Sequence, residues 1–199
     1  MSSTKRGGQR HAYDFYPTPA WCVHRLLDAV GHTLSVRRPW IEPCVGTGAL
    51  VSAVDTWCEA HWALTPTWAL CDIEPQLPAD VPCVKGDYTS EGVSFVKYNA
   101  IVAITNPPFA LAIEFTEKMV QEAEHTLVLQ RLGWLAGEKR HAWWRQMSYD
   151  VYVLPNRPSF TSSTNDSADY AWFHFHADAE EKLRLLALTP LDERKAGTP

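Results

Sequence analysis

Four consecutive residues, Asn106-Pro107-Pro108-Phe109, carry the most specific chemistry in this sequence. They follow the apolar run NAIVAIT, and two prolines in succession cannot extend a sheet and hold the turn in a fixed shape. That shape lets the Asn106 amide oxygen and the Pro107 main-chain carbonyl point together as a pair of acceptors. Such a pair fits a planar –NH2 group. Accepting both of its hydrogens draws the nitrogen toward tetrahedral geometry and frees a lone pair otherwise delocalised into an aromatic ring. Phe109 adds a flat face on which that ring can stack. A structural Asn-Pro turn is the other reading of the same residues, and their companions elsewhere in the chain bear on the choice.

The first companion is EPCVGTGAL, residues 42–50, where Gly46 and Gly48 separate a strand-like from a helix-like segment. Missing side chains there let a ligand approach the backbone and a helix N-terminus. No Lys-Ser/Thr pair follows the glycines, which argues against a triphosphate loop, and Val51 stands where a dinucleotide fingerprint needs its third glycine. Glu42 would repel a pyrophosphate but suits a ligand bearing a cationic amine or sulfonium. Asp72 closes WALCDIE, in the place where an acid accepts both hydroxyls of a ribose. Asp87, in KGDY, is placed to accept from an exocyclic amine. Singly, each of these also reads as a tight turn or a helix cap; together they mark successive strand ends.

The elements that would position them follow from periodicity. Trp21, Val23, Leu26, Leu27 and Val30 recur at helical spacing after Pro19. Strands are expected in PWIEPC, WALCDIE, PCVKGDY, NAIVAITN, TLVLQRL, DVYVLP and ADYAWFHFH. Helices are expected in GALVSAVDTWCEA, ALAIEFTEKMVQEAEH and HAWWRQM. Strands apolar on both faces that alternate with helices imply a mostly parallel sheet covered on both sides. NRPSFTSSTNDS joins the sixth and seventh strands without a helical pattern, so the last of the seven is expected to run antiparallel. Residues 1–12 read as a flexible basic arm, and residues 177–199 as a tail, helical through AEEKLRLLAL and frayed beyond Thr189-Pro190.

The net charge of −5 is unevenly spread. Residues 61–125 hold three Lys/Arg against nine Asp/Glu, whereas residues 126–165 hold five against two. QRLGWLAGEKRHAWWRQ interleaves Arg131, Lys139, Arg140 and Arg145 with Trp134, Trp143 and Trp144. Cations for phosphates beside aromatics for exposed bases is the pattern of single-strand and flipped-base binders; an amphipathic helix with core tryptophans is the alternative. Arg157 and the N-terminal arm are further phosphate candidates, and Phe160 could sandwich an extruded base against Phe109. His174 and His176 alternate with aromatics on the last strand, and without a suitably placed Cys or carboxylate they read as strand-surface histidines rather than a metal site. Five cysteines without a CxxC pair, and no apolar run long enough to span a bilayer, suit a cytoplasmic protein with no membrane partner.

EPCVGTG, CDIEP, GDY and ITNPPF, in that order, resemble the motifs of S-adenosylmethionine-dependent N6-adenine methyltransferases. DFYPTPAW at residues 14–21 resembles their N-terminal cofactor motif in the arrangement where it precedes the glycine turn. The compact chain is similar to the small adenine DNA methyltransferases of phages and prophages over residues 13–176. The resemblance implies one Rossmann-like methyltransferase domain and methyl transfer from S-adenosylmethionine to N6 of adenine in DNA. The base would be flipped out or single-stranded, no metal would be needed, and the protein would be a monomer or weak dimer in a bacterial host cell. It assigns Tyr16, Thr18 and Pro19, with Glu42, Gly46 and Gly48, to the cofactor's methionine end. Asp72 and Ile73 fall at its ribose and adenine, Asp87 and Tyr88 at its adenine, and Asn106 to Phe109 at the target base. Pro43 and Cys44 before the glycine turn, and the lack of a long insertion for target recognition, depart from the family pattern. A base in ribosomal or transfer RNA, a protein glutamine, and a non-catalytic nucleic-acid-binding role are the competing readings.

Overall fold

The structure, a computed structural model, describes residues 17–160 and 168–195. The N-terminal arm, Tyr16 and part of the loop after Phe160 lie outside the described residues. Helix α1 (Ala20–Val30) starts after Pro19, whose carbonyl accepts the Cys22 N–H at 3.0 Å. The helix buries the apolar stripe read from its sequence. Strand β1 (Trp40–Glu42) leads through the glycine turn into α2 (Ala49–Trp62), then β2 (Trp68–Asp72) and β3 (Val84–Lys85). Next come β4 (Ala100–Thr105), α3 (Ala112–Glu122), β5 (Ala123–Arg131), α4 (Glu138–Trp144), β6 (Tyr149–Val153) and β7 (Tyr170–Phe175). The order across the sheet is β3-β2-β1-β4-β5-β7-β6, with an eighth strand, β8 (Leu183–Leu185), beyond β6. Strand β7 is antiparallel to both neighbours, as its helix-free connection predicts, and the remaining pairings are parallel.

Alternation along the central strands divides the core in two. Val102, Ile104, Leu127, Leu129 and Trp172 face α1 and α2, while Ala103, Val128 and Phe173 face Phe115 and Met119 of α3 and Trp144 of α4. Both faces are covered, which is why the strands read as continuous apolar runs. The parallel strands therefore end together on one edge, where Glu42, Asp72 and Thr105-Asn106 lie.

The C-terminal region differs from expectation. Residues expected to be helical form β8, whose neighbours close its register: Val151 N–H donates to Lys182 O at 2.8 Å and Leu186 N–H to Val153 O at 2.9 Å. A helix there would leave the outer backbone row of β6 bare, and edge pairing outweighs the helical spacing of the leucines. Beyond Pro190, where fraying was expected, a short helix α5 (Leu191–Lys195) forms. Arg25 of α1 holds this region, its Nε donating to Thr189 Oγ1 at 3.1 Å and its guanidinium pairing with Glu193. The chain also passes from α3 directly into β5 at Ala123, so His125, expected in the helix, belongs to the strand.

Candidate active site

Strands β1 and β4 are neighbours, and their carboxyl ends are bound together by side chains. Glu42 is buried; its Oε1 accepts the Thr105 hydroxyl at 2.6 Å and the Cys44 N–H at 3.0 Å. Its Oε2 is buried without a partner among the described residues. Burial pushes the carboxyl up to about 8, with nearby Asp72 adding to the rise and the Thr105 and Cys44 hydrogen bonds opposing it. Such an oxygen is costly to leave unmatched, and a cationic N–H donor would match it.

After Thr105 the chain turns through Asn106-Pro107-Pro108 into a 3₁₀ turn at Phe109–Leu111, and α3 follows. The half-buried Asn106 donates from Nδ2 to the hydroxyl of Thr18 at 3.2 Å. That bond fixes the orientation of the amide, so the oxygen faces away from Thr18. The Pro107 carbonyl accepts Gln130 Nε2 at 3.4 Å, a long contact that leaves acceptor capacity. Thr18 is itself buried, so the segment before α1 is packed against the end of β4.

The glycine turn beside it is held from β2. Asp72 accepts Gly46 N–H on Oδ2 and Glu74 N–H on Oδ1, both at 2.8 Å. Gly46 and Gly48 have φ of +51° and +80°, a region that favours glycine. A Cβ on Gly48 would lie 2.9 Å from Leu77 Cδ2. Asp72 thus orders the turn and retains lone pairs for a further donor. Ile73 beside it is 46% exposed, an apolar surface at the mouth of the turn.

Asp87 is exposed, and its Oδ1 accepts both the N–H and the hydroxyl of Thr89 at 2.9 and 2.7 Å, a turn-forming role. Tyr88 departs from the role the resemblance gave it. It is 1% exposed, stacks between Phe95 and Phe115, and donates its hydroxyl to Glu122 at 2.7 Å. It belongs to the core under α3, not to the surface of a cofactor cleft.

The aromatic and basic candidates separate into two groups. Arg131, at the end of β5, stands 4.5 Å over the Phe109 ring and its Nε donates to Tyr170 OH at 3.3 Å. Tyr170 lies between Phe109 and Phe160, with ring centroids 6.1 and 5.1 Å away. Phe109, Arg131 and Phe160 are partly buried around Tyr170, which at 0% exposure belongs to the core beneath them. Arg157 pairs with Asp169 at 2.9 Å near the same strand end.

The other group is elsewhere. Arg140 is tied to the carbonyls of Trp134, Gly133 and Ala136, so it braces the loop ahead of α4. Lys139 is exposed on α4. Arg145 follows α4 and lines a cleft with His141, Tyr149 and Glu181 by the start of β6, the sheet edge opposite Asn106. Trp134 and Trp144 are buried and pack with Phe173, while Trp143 flanks them and donates to Glu117 at 3.0 Å. Trp134 and Trp144 are therefore core, and Trp143 packs on them from a partly buried position.

The histidines on β7 also differ from expectation: His174 is 2% exposed rather than a strand-surface residue. Burial, reinforced by His176 and His125, pushes it down to about 2.

No protein-family model matches the sequence, and no curated protein matches it. Solved structures do. A methyltransferase subunit of a type I restriction-modification system from Streptococcus thermophilus superposes with a TM-score of 0.64 at 10% identity, over 90% of this chain and 51% of its own. The modification subunit of a candidate type I restriction enzyme from Vibrio vulnificus YJ016 gives 0.62 at 12% identity, over 89% of this chain and 48% of its own. A candidate RNA methyltransferase from Pyrococcus horikoshii gives 0.56 at 13% identity, over 82% and 85%. The chain spans about half the length of the two restriction subunits. At these identities the likeness is one of architecture: the chain has the fold of the S-adenosylmethionine-dependent methyltransferases.

Proposed function

We propose that this protein transfers a methyl group from S-adenosylmethionine to the N6 amino group of adenine in DNA. The observation that carries the reading is the end of β4, where Asn106, held by Thr18, follows Thr105, whose hydroxyl binds the buried Glu42 carboxyl and leaves its other oxygen with no partner among the described residues. The residues present fit the cofactor. Glu42 Oε2 suits its cationic methionine end, the positive-φ glycines admit it to the backbone, Asp72 suits its ribose, and exposed Ile73 suits its adenine.

When bound, S-adenosylmethionine supplies an electrophilic methyl carbon on a sulfonium sulfur. Asn106 and the Pro107 carbonyl accept the two hydrogens of the target amine and stabilise the positive charge that grows on its nitrogen. Holding the nitrogen in line with the methyl carbon is their main contribution, and effects of alignment alone are large. In line with that grip, the bound sulfonium would give up its methyl carbon and keep the electron pair of the broken carbon–sulfur bond, and the amine would lose its proton to water. Phe109, with Arg131 over its ring, is the stacking candidate for the base, and partly buried Phe160 lies across buried Tyr170 from it. A base paired in a duplex cannot reach this edge without flipping, at a cost of about a few kcal/mol.

Incubation with tritiated cofactor and, separately, duplex DNA, single-stranded DNA, total RNA and protein tests the reading. Label recovered as N6-methyladenine from DNA supports it. Label on RNA alone, or on glutamine, would transfer the same geometry to another substrate, and no label with normal cofactor binding would favour a non-catalytic role.

A further inference from the structure

At the sheet edge opposite Asn106, three imidazoles converge. His174 lies on β7 and His176 just past its end, two positions along the extended chain and on the same face. The antiparallel register sets Leu127 opposite His174 and Thr126 opposite Phe175, so the next step places His125 of β5 opposite His176. On the other side Asp150 of β6 is opposite His174. All four side chains lie on one face of three adjacent strands, below the Trp172 and Leu127 layer of the core.

One ring nitrogen from each histidine lies within 4.8 Å of the others. His125 Nδ1 and His174 Nε2 are 3.0 Å apart, and this one hydrogen bond leaves His174 Nδ1 buried without a partner. Three imidazole nitrogens gathered this closely on one face suit a cation better than they suit a plain core. Asp150 lies behind His176, its Oδ2 3.4 Å from His176 Nε2, while its Oδ1 is held by the Lys182 N–H at 2.9 Å and the Glu180 N–H at 3.3 Å. A carboxylate that accepts from the far nitrogen of a ligating histidine is a recurrent support of metal sites. Glu124 and Asp178 add negative potential at His125, opposed by Arg38, which is paired with Glu124 at 2.6 Å.

We propose that His125, His174 and His176 form a binding site for a zinc-class divalent cation, with Asp150 orienting His176. Tetrahedral zinc with bonds of about 2.0–2.1 Å needs donor nitrogens about 3.3–3.4 Å apart. The His125–His174 pair is near that already, and no donor separation in the trio exceeds 4.8 Å. The donor set, three imidazoles and an outer carboxylate, favours zinc or cobalt over magnesium or calcium. Bridging β5 and β7, with β6 braced through Asp150, the cation clamps the antiparallel insertion at the end of the sheet remote from the methyl-transfer cleft, and the proposal stands independently of that chemistry.

The full chain, freed of metal with a chelator, is titrated with Co2+ and followed by visible absorption, and with Zn2+ by calorimetry. The expected result is one equivalent per chain, the intense visible bands of four-coordinate cobalt, and a rise in thermal midpoint with zinc. His125→Ala and His176→Ala, whose parent side chains are only partly buried and whose folding is checked by circular dichroism, should each weaken binding at least about tenfold and abolish the cobalt bands. A Cys44→Ser/Cys83→Ser control should retain both. Unchanged stoichiometry and affinity in the histidine variants, or loss confined to the cysteine control, would overturn the assignment.

Discussion

Glu42 makes the account quantitative. Its carboxyl is 1% exposed, has one oxygen without a partner, and is pushed up from its usual 4.5 to about 8. A cationic group set against Oε2 stabilises only the ionised carboxylate, so binding such a ligand must drive a proton off Glu42. The apparent Kd then scales as one plus ten to the power of pKa minus pH. With a value of about 8, that factor is about 100 at pH 6 and about 2 at pH 8, a tightening of about fifty-fold or about 2 kcal/mol. The perturbation is Glu42→Gln, which preserves volume and removes the titration. The assay is calorimetry of S-adenosylmethionine or S-adenosylhomocysteine binding from pH 6 to 8, in buffers of different ionisation enthalpy that count released protons. The ligand's own α-amino group titrates near about pH 8, but it does so equally with both proteins, so the ratio of their affinities isolates Glu42. Equal pH slopes in wild type and Glu42→Gln, or no proton release, would refute the reasoning. The same shift predicts a stability trend in the free protein. The folded-state value lies above the unfolded one, so the contribution is fully present below about 4.5 and is lost as pH rises to about 8. The loss is on the order of 4–5 kcal/mol, and Glu42→Gln should flatten it.

Three further outcomes follow from particular contacts. Tyr88→Phe removes the partner of buried Glu122 Oε2 and should cost about 1–3 kcal/mol in a denaturant melt, with cofactor affinity unchanged; weakened affinity at full stability would return Tyr88 to the cleft. Gly48→Ala forces a Cβ onto a backbone at φ +80° and against Leu77, and should cost about 1–2 kcal/mol, read as a lowered Tm. Arg131→Ala should reduce the slope of log affinity for DNA against log salt by about one. Arg140→Ala, which frees carbonyls rather than phosphates, should leave that slope alone and lower stability; the reverse result would exchange their roles.

Much of this arrangement was legible in the chain, for reasons that can be named. Runs such as NAIVAIT and TLVLQRL are apolar on both sides because helices cover both faces of the sheet, and that alone implies parallel strands. The glycine turn and the double proline were legible because breakers of strand pairing mark where β1 and β4 end. What escaped has equally local causes. His125 sits where helix α3 runs into β5 without an intervening turn residue, so its spacing reads as helical and hides the third member of the trio. Tyr88 follows the acid of the GDY motif, but its side chain faces Phe95 and Phe115, a direction that short irregular strands do not reveal. Arg140 looked like a phosphate contact because its hydrogen bonds go to backbone carbonyls of a loop, which carry no sequence signature. Strand β8 was hidden by leucines at helical spacing, three of which, Leu183, Leu185 and Leu188, remain exposed.

The central claim is that Asn106 and the Pro107 carbonyl grip the target amine. It is tested most directly by single-turnover methyl transfer with tritiated cofactor and saturating DNA, comparing wild type with Asn106→Ala. The account predicts cofactor binding within about a few-fold and a methyl-transfer rate lower by at least about a hundredfold. Transfer at the wild-type rate by Asn106→Ala, with its cofactor binding intact, would contradict it.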